Sequence, residues 1–400
     1  MNIVALAFRY LWARPLAAVL NVLLLSLGLA SASFVLLMAE QIDQAFERDL
    51  AGIDLVVGAK GSPMQLILSG VFHIDTPSGN ILLADVQALE KHQAVAQMIP
   101  LSLGDSHQGF RIVGSTPGYL THYQVSFAQG QGWTQTLQAV VGAQVAQATG
   151  LVVGAQFAGS HGLGGGGHMH GNKPYNVVGV LKACGCVLDR LILTSLESVW
   201  QVHEKDMAVD EEDLKALQAE REVTVALIRY KSPLAAVSFP RYVNSSTDMQ
   251  AAAPAIEITR LLRMVGVGAD VLRGFAGVLL LMAGLSVFIA LWNAVKERQT
   301  DLAMLRMLGA PPRRVAALVL SEALWLAVLA CVLGLLLGHG LAAFVSHVLA
   351  AQKSLPLDAW HWAAGEGIIV LVGVGVACLA ALLPVWQAYR VDVAQLLNRS

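Results

Sequence analysis

Four runs of about twenty or more residues with little or no charge decide what this chain can fold into. A helix rises about 1.5 Å per residue, so about twenty apolar residues cross a hydrocarbon core roughly 30 Å thick. In lipid, each backbone N–H and C=O must also be satisfied within the segment, which leaves the helix as the spanning form for such runs. The runs fall at 16–39, with Leu23, Leu24 and Leu25 in its middle, at 273–295, at 315–338 and at 367–389. Composition agrees, since 56% of the 400 residues are apolar and only 14% charged, against about 25% charged in ordinary soluble proteins. Residues 40–272 read instead as mixed, water-soluble sequence. The predicted fold is a membrane protein with four transmembrane α-helices and a large α+β extracytoplasmic domain inserted between the first and second.

Basic residues orient the spans. Arg9 and Arg14 lie in 1–15, Lys296, Arg298, Arg306, Arg313 and Arg314 crowd 296–314, and Arg390 and Arg399 lie in 390–400, whereas 339–366 carries only Lys353. The positive-inside rule then makes 1–15, 296–314 and 390–400 cytoplasmic, and puts 40–272 and the short loop 339–366 outside a bacterial inner membrane. Phe8, Tyr10, Leu11 and Trp12 among the first arginines predict a short helix in the cytoplasmic interface. The first span is expected to be retained, because its apolar run continues past Ala30-Ser31-Ala32 to Met38, beyond the ~7–15 residues of a secretory signal. Residues 40–272 hold 22 acids and 15 bases, and an acidic domain repels phosphate backbones, so no nucleic-acid partner is expected.

The loop 296–314 reads as a short amphipathic helix with an abrupt end. Leu302, Leu305 and Leu308 recur at helical spacing, Gly309 stands where a left-handed cap is wanted, and Pro311 and Pro312 forbid continuation. From the residues alone, such a stripe serves equally to dock a partner or to lie on lipid headgroups. Arg298, Asp301, Leu302, Leu305, Arg306 and Leu308-Gly309-Ala310 resemble the corresponding loop of FtsX-like and MacB-like permeases. Glu322-Ala323 with Gly334 and Gly338, and the segment from Pro384 to Leu397, are similar to further parts of that family. The resemblance implies that the loop is a coupling helix, with Leu302, Leu305 and Leu308 as anchors on an ATPase and Arg298, Asp301 and Arg306 as their polar rim. Asp301-Leu302-Ala303 keeps the charge and bulk of the family's Glu-Ile-Gly but loses the glycine. Glu322 is an acid within the third span, two turns from Arg314, and is expected to pair with cytoplasmic-side bases rather than to move protons.

In 40–272, Val140 to Gly154, Tyr175 to Leu181 and Leu188 to Leu193 resemble the strand-rich end of the MacB-like periplasmic core domain. Ile53–Val57 and 110–114 are further strand candidates, with helices at 85–92 and 210–221. One segment stands apart: His161, His168 and His170 enclose a run of glycines, and Cys184 and Cys186 follow after a strand. Two readings stay open. The set offers nitrogen and sulfur ligands to zinc or copper, and it equally reads as a glycine-rich linker beside a disulfide or two packed thiols. His73, His92, His107, His122 and His203 read as ordinary core or surface residues, and Cys331 and Cys378 as packing residues in the spans.

Gly58-Ala59-Lys60-Gly61-Ser62 has the wrong spacing for a phosphate loop, and no Gly-x-x-x-x-Gly-Lys-Ser/Thr run occurs, so ATP is expected to be held by a partner chain. No metalloprotease, nucleophile-elbow or paired-carboxylate motif stands out, and the chain is expected to be a non-catalytic subunit. The resemblance implies a permease of the mechanotransmission kind, embedded in the lipid bilayer and partnered by a cytoplasmic ABC ATPase, a second permease copy and a periplasmic protein. A scaffold that activates a periplasmic hydrolase without transport, and a metal-handling protein using the histidine loop, are the alternatives. The topology is directly measurable: alkaline phosphatase fused near Gln129 is expected to be active and a fusion at Ser400 inactive, and the opposite pattern overturns the orientation.

Overall fold

The protein's computed structural model describes residues 3–162, 173–207, 217–218, 220–351, 358 and 360–390. In chain order the helices are α1 (Ile3–Trp12), α2 (Pro15–Leu50), α3 (Pro63–Gly70), α4 (Leu83–Glu90), α5 (Gly118–His122), α6 (Ala143–Thr149), α7 (Leu196–Met207), α8 (Ala235–Ser246), α9 (Pro254–Glu297), α10 (Gln299–Met307), α11 (Pro312–Ala351) and α12 (Glu366–Tyr389). The strands are β1 (Leu55–Ala59), β2 (Ile81–Leu82), β3 (Val95–His107), β4 (Phe110–Ser115), β5 (Phe127–Gly130), β6 (Gln138–Val141), β7 (Gln156–Phe157), β8 (Ser160–His161), β9 (Tyr175–Leu181), β10 (Leu191–Ser195), β11 (Glu222–Val223), β12 (Val225–Tyr230) and β13 (Met249–Ala252). Two compact units result, one from Met1–Asp43, Met264–Leu349 and Leu357–Ser400, the other built on Gln44–Arg263.

The second unit is α+β. Its main sheet has the order β13-β1-β12-β3-β4-β10-β6-β9-β5, with β7 on β9 and β8 on β3, and β11 pairs β2 separately. Pairing is antiparallel except at β4–β10 and β6–β9. None of these four strands is at the end of the main path, and β4 and β10 are buried at every residue, which is why neither alternates as a one-faced strand does, although β4 carries the buried Arg111. One core gathers Leu55, Ala226, Ile228, Phe239 and Val243 at the β1 end. A second gathers Phe110, Val141, Tyr175, Val177 and Ile192 at the other.

The sequence expectation differs from the structure at two places here. Leu151 to Gly154 is a turn, whose Gly154 N–H donates to the Val177 carbonyl at 2.8 Å, and not part of a strand. Val187–Arg190 forms a 3-10 turn, so the strand expected from Leu188 starts at Leu191. The helix expected at 210–221 lies mostly outside the described residues.

In the first unit, α2, α9, α11 and α12 are, among the described residues, the helices long and apolar enough to cross a membrane. The first three extend past the expected spans, and 339–366, expected as a loop, is helical as far as Ala351. Lipid gives no hydrophobic drive between helices, so close backbone approach and polar bridges hold them. Ser286 Oγ on α9 donates to Asn21 Oδ1 on α2 at 2.7 Å. On α11, a Cβ at Gly334 would stand 2.8 Å from Leu29 Cβ and 3.1 Å from the Ser26 carbonyl oxygen, and one at Gly338 would stand 2.9 Å from Ser33 Cβ. These neighbours are backbone or Cβ atoms of α2 and cannot swing aside. Gly338→Val is therefore expected to destabilise the bundle by about 1–3 kcal/mol, as overpacking does. Thermal unfolding in detergent reads this, and an unchanged midpoint would show that α2 and α11 do not meet there.

Candidate functional site

The short helix α10 is fastened at both ends before it presents anything outward. At its start, Arg298 leaves helical geometry, with φ −100° and ψ 16°, so the chain turns out of α9. Its guanidinium turns inward: Nη1 donates to Glu322 Oε1 on α11 at 3.1 Å, and Nη2 donates to the Tyr10 carbonyl of α1 at 2.9 Å. The same group lies 4.6 Å from the centre of the Tyr10 ring. Arg298 and Glu322 side chains are only 14% and 8% exposed, so each charge depends on the other for compensation. α1 is held to α11 as well, by the Trp325 indole N–H donating to the Val4 carbonyl at 3.1 Å and by the Phe8 and Trp325 rings at 5.1 Å. The Arg14–Glu297 pair nearby is partly exposed and adds little.

At the other end, Gly309 takes φ +89°. Its N–H donates to the Arg306 carbonyl at 3.1 Å, and the Ala310 N–H reaches back to the Leu305 carbonyl at 3.0 Å. These two bonds make a Schellman motif, which satisfies carbonyls that a helix end leaves open and favours glycine because the left-handed conformation strains other residues. Pro312 then opens α11.

Between these ends the apolar residues divide, and this corrects the expected stripe. Leu302 is 3% exposed and lies in one core with Ala7, Leu11, Val315 and Val319, and Leu305 packs half-buried at that core's edge. Leu308 stands beyond the last turn and is 85% exposed, with Met304 and Met307 also exposed. Residues 302 and 305 share the inner face, whereas 304, 307 and 308 share the outer one by the spacing of three and four. The free apolar surface is thus Met304, Met307 and Leu308, with Asp301 exposed and Arg306 half-exposed beside it. Arg298 is no rim residue, because Glu322 holds it inside. Glu322 pairs, as expected, with a basic residue of the loop, and the partner is Arg298. A groove of about 590 Å³ adjoins this surface, lined by Ile3, Leu6, Leu305, Leu308, Arg314 and Leu318 among others.

The expected metal set is not gathered among the described residues. Cys184 and Cys186 are joined to each other as a disulfide, so neither has a thiolate to donate. His168 and His170, and the side chain of His161, lie outside the described residues. Sequence reasoning also missed a buried group: Glu366, at the start of α12, accepts from Ser33 Oγ at 2.9 Å and meets His339 Nε2 at 3.0 Å. An imidazole set between Gly338 and Gly340 in an apolar run was the signal, and only folding shows its partner.

The Arg298–Glu322 bridge generates a measurable contrast. Arg298→Met leaves an uncompensated buried carboxylate, an expected loss of roughly 3–5 kcal/mol, whereas Arg298→Met with Glu322→Leu is expected to recover most of it. Chemical unfolding in detergent compares the two, and equal losses would remove the unpaired charge as the cause.

The profile of the MacB-like periplasmic core domain matches residues 18–257, and that of the FtsX-like permease C-terminal region matches residues 273–393. Among solved structures, the periplasmic region of MacB from Actinobacillus actinomycetemcomitans is 12% identical with a TM-score of 0.35, over 54% of this chain and 95% of that one. The extracellular domain of the noncanonic ABC-type transporter YknZ from Gram-positive bacteria is 13% identical with a TM-score of 0.31, over 50% of this chain and 98% of that one. No curated protein matches the chain. The two profiles between them span nearly all of its length, and the chain belongs to the family of ABC transporter permeases that joins a MacB-like periplasmic core domain to an FtsX-like membrane half.

Proposed function

We propose that this chain is the non-catalytic permease subunit of an ABC complex and that α10 docks in a cleft of a separate cytoplasmic ATPase. The observation that carries the reading is the exposed surface of Met304, Met307 and Leu308 on a helix pinned at one end by Arg298 and closed at the other by Gly309. A helix held in this way transmits a push instead of yielding to it. The distribution of basic residues supports a cytoplasmic position for it, with both termini on the same side and the α+β unit outside. Two copies working with two ATPases is the stoichiometry we favour, since four spans per chain are few for a complete transporter. Nucleotide closure in the ATPases would then move α9 and α11, which flank α10 in the chain, and through α9 the outer unit. The histidine loop remains a proposed soft-metal site, with its ligands drawn from the histidines once the cysteines are paired.

Burying one leucine fully contributes about 1.5–3 kcal/mol, which is on the order of tenfold to a hundredfold in affinity. Leu308→Asp is therefore expected to reach the membrane at normal abundance and to lose at least about tenfold in affinity for the ATPase that co-purifies with the unmodified chain. Leu302→Asp is expected to behave differently, lowering abundance, because it buries a charge in the bundle's own core. Undiminished retention of the ATPase by Leu308→Asp would mean that this surface lies on lipid headgroups, and absence of any co-purifying ATPase from native membranes would end the proposal.

A further inference from the structure

Within the α+β unit, two buried arginines line one small cavity, a place where charge is hard to keep. Arg111 on β4 is 5% exposed and Arg190, at the end of the 3-10 turn, is 6% exposed. Together with His73, Phe72, Phe110 and Leu191 they line a cavity of about 30 Å³, room for roughly one or two water-sized bodies. Arg111 Nη2 donates to the Asp75 carbonyl at 2.7 Å. The Nε–H of Arg111 and the Nε–H of Arg190, however, have no hydrogen-bond partner among the described residues. A buried donor is normally paired, and a missing partner calls for an explanation.

The carboxylates whose charge reaches the two arginines, Asp75 for Arg111 and Asp49 with Asp189 for Arg190, leave both Nε–H groups unpaired. Asp189 accepts from the N–H groups of Cys184 at 3.1 Å and Gly185 at 2.7 Å, and Asp49 Oδ1 accepts from the Val187 N–H at 3.0 Å. Burial pushes Arg111 down to about 10 against the field of Asp75, and lowers Arg190 against the fields of Asp49 and Asp189. His73 adds no charge of its own. Burial first, and then the fields of Arg111 and Arg190, hold it well below its ordinary range, so the ring is neutral at pH 7, with Nε2 3.1 Å from the Tyr119 hydroxyl. Its backbone sits at φ 56°, a conformation that is uncommon outside glycine and that clusters at functional sites.

We propose that this cavity binds one small monovalent anion, chloride in its natural setting, held between the Nε–H groups of Arg111 and Arg190. A water molecule could accept from both groups, but an anion accepts from two guanidinium groups in charge-assisted bonds roughly twice as strong. The size of the cavity excludes sulfate and phosphate.

The test uses the full chain in detergent. Chloride is exchanged for gluconate at constant ionic strength, and hydrogen exchange is followed in the peptide covering Phe110–Ser115. Above the dissociation constant, each tenfold rise in chloride is expected to slow that exchange about tenfold, by mass action on the closed state. Arg111→Met is expected to abolish the dependence. Because that variant removes a buried charge and can fail to fold, crystals of the unmodified chain grown in bromide give the independent reading. An anomalous bromide peak between the two Nε atoms supports the site whatever the variant does. Ordered water there in bromide-grown crystals, or exchange rates identical in chloride and gluconate, overturns it.

Discussion

Arg298 and Glu322 are the pair around which the end of the membrane unit that carries α1 and α10 is arranged. An acid within an apolar helix is costly unless a base reaches it, and the base that does so sits at the break between α9 and α10. That one contact sets where α9 must stop and which way α10 must turn. The second nitrogen of Arg298 commits the arginine to the carbonyl of Tyr10, so α1 is drawn into the same arrangement. Buried ion pairs contribute modestly to net stability, and their better-attested role is to select one register among several. The burial of Leu302 follows from this geometry, and with it the exposure of Met304, Met307 and Leu308.

Both units handle buried polarity by tying it to distant elements. In the membrane unit, Asn21, Ser33, His339 and Glu366 link α2 to α9, α11 and α12. In the α+β unit, Asp49 on α2 and Asp189 on the 3-10 turn spend their oxygens on the backbone around the Cys184–Cys186 disulfide. The disulfide closes a short turn directly before that buried aspartate, which gives it a structural reason independent of any metal. What distinguishes the Arg111–Arg190 pair is that the same solution has been left incomplete there.

How much could be read in advance followed the range of the physics involved. The four spans were legible because composition alone decides them, and the Gly309 stop because a cap is a local matter. β4 and β9 were legible from apolar and alternating runs. β3 was not, since Pro100 and Gly104 interrupt its pattern, and both are tolerated only because strands on either side hold it. The rotation of α10 was also hidden. Periodicity shows that Leu302 and Leu305 share a face, but which face turns inward depends on Arg298 finding a carboxylate 24 residues later. The partnership of Ser33 with Glu366 spans 333 residues and leaves no mark on either local sequence.

The outward surface of α10 is built largely from methionine. An unbranched thioether chain rearranges at little energetic expense, and surfaces rich in it adapt to differently shaped partners. With its leucine face turned into the bundle, the helix would offer its most pliable side to the ATPase proposed to dock there. A cell that makes several related ATPases would then face cross-wiring between complexes, and the burden of telling them apart would fall on the charges of Asp301 and Arg306 at the margin of that surface.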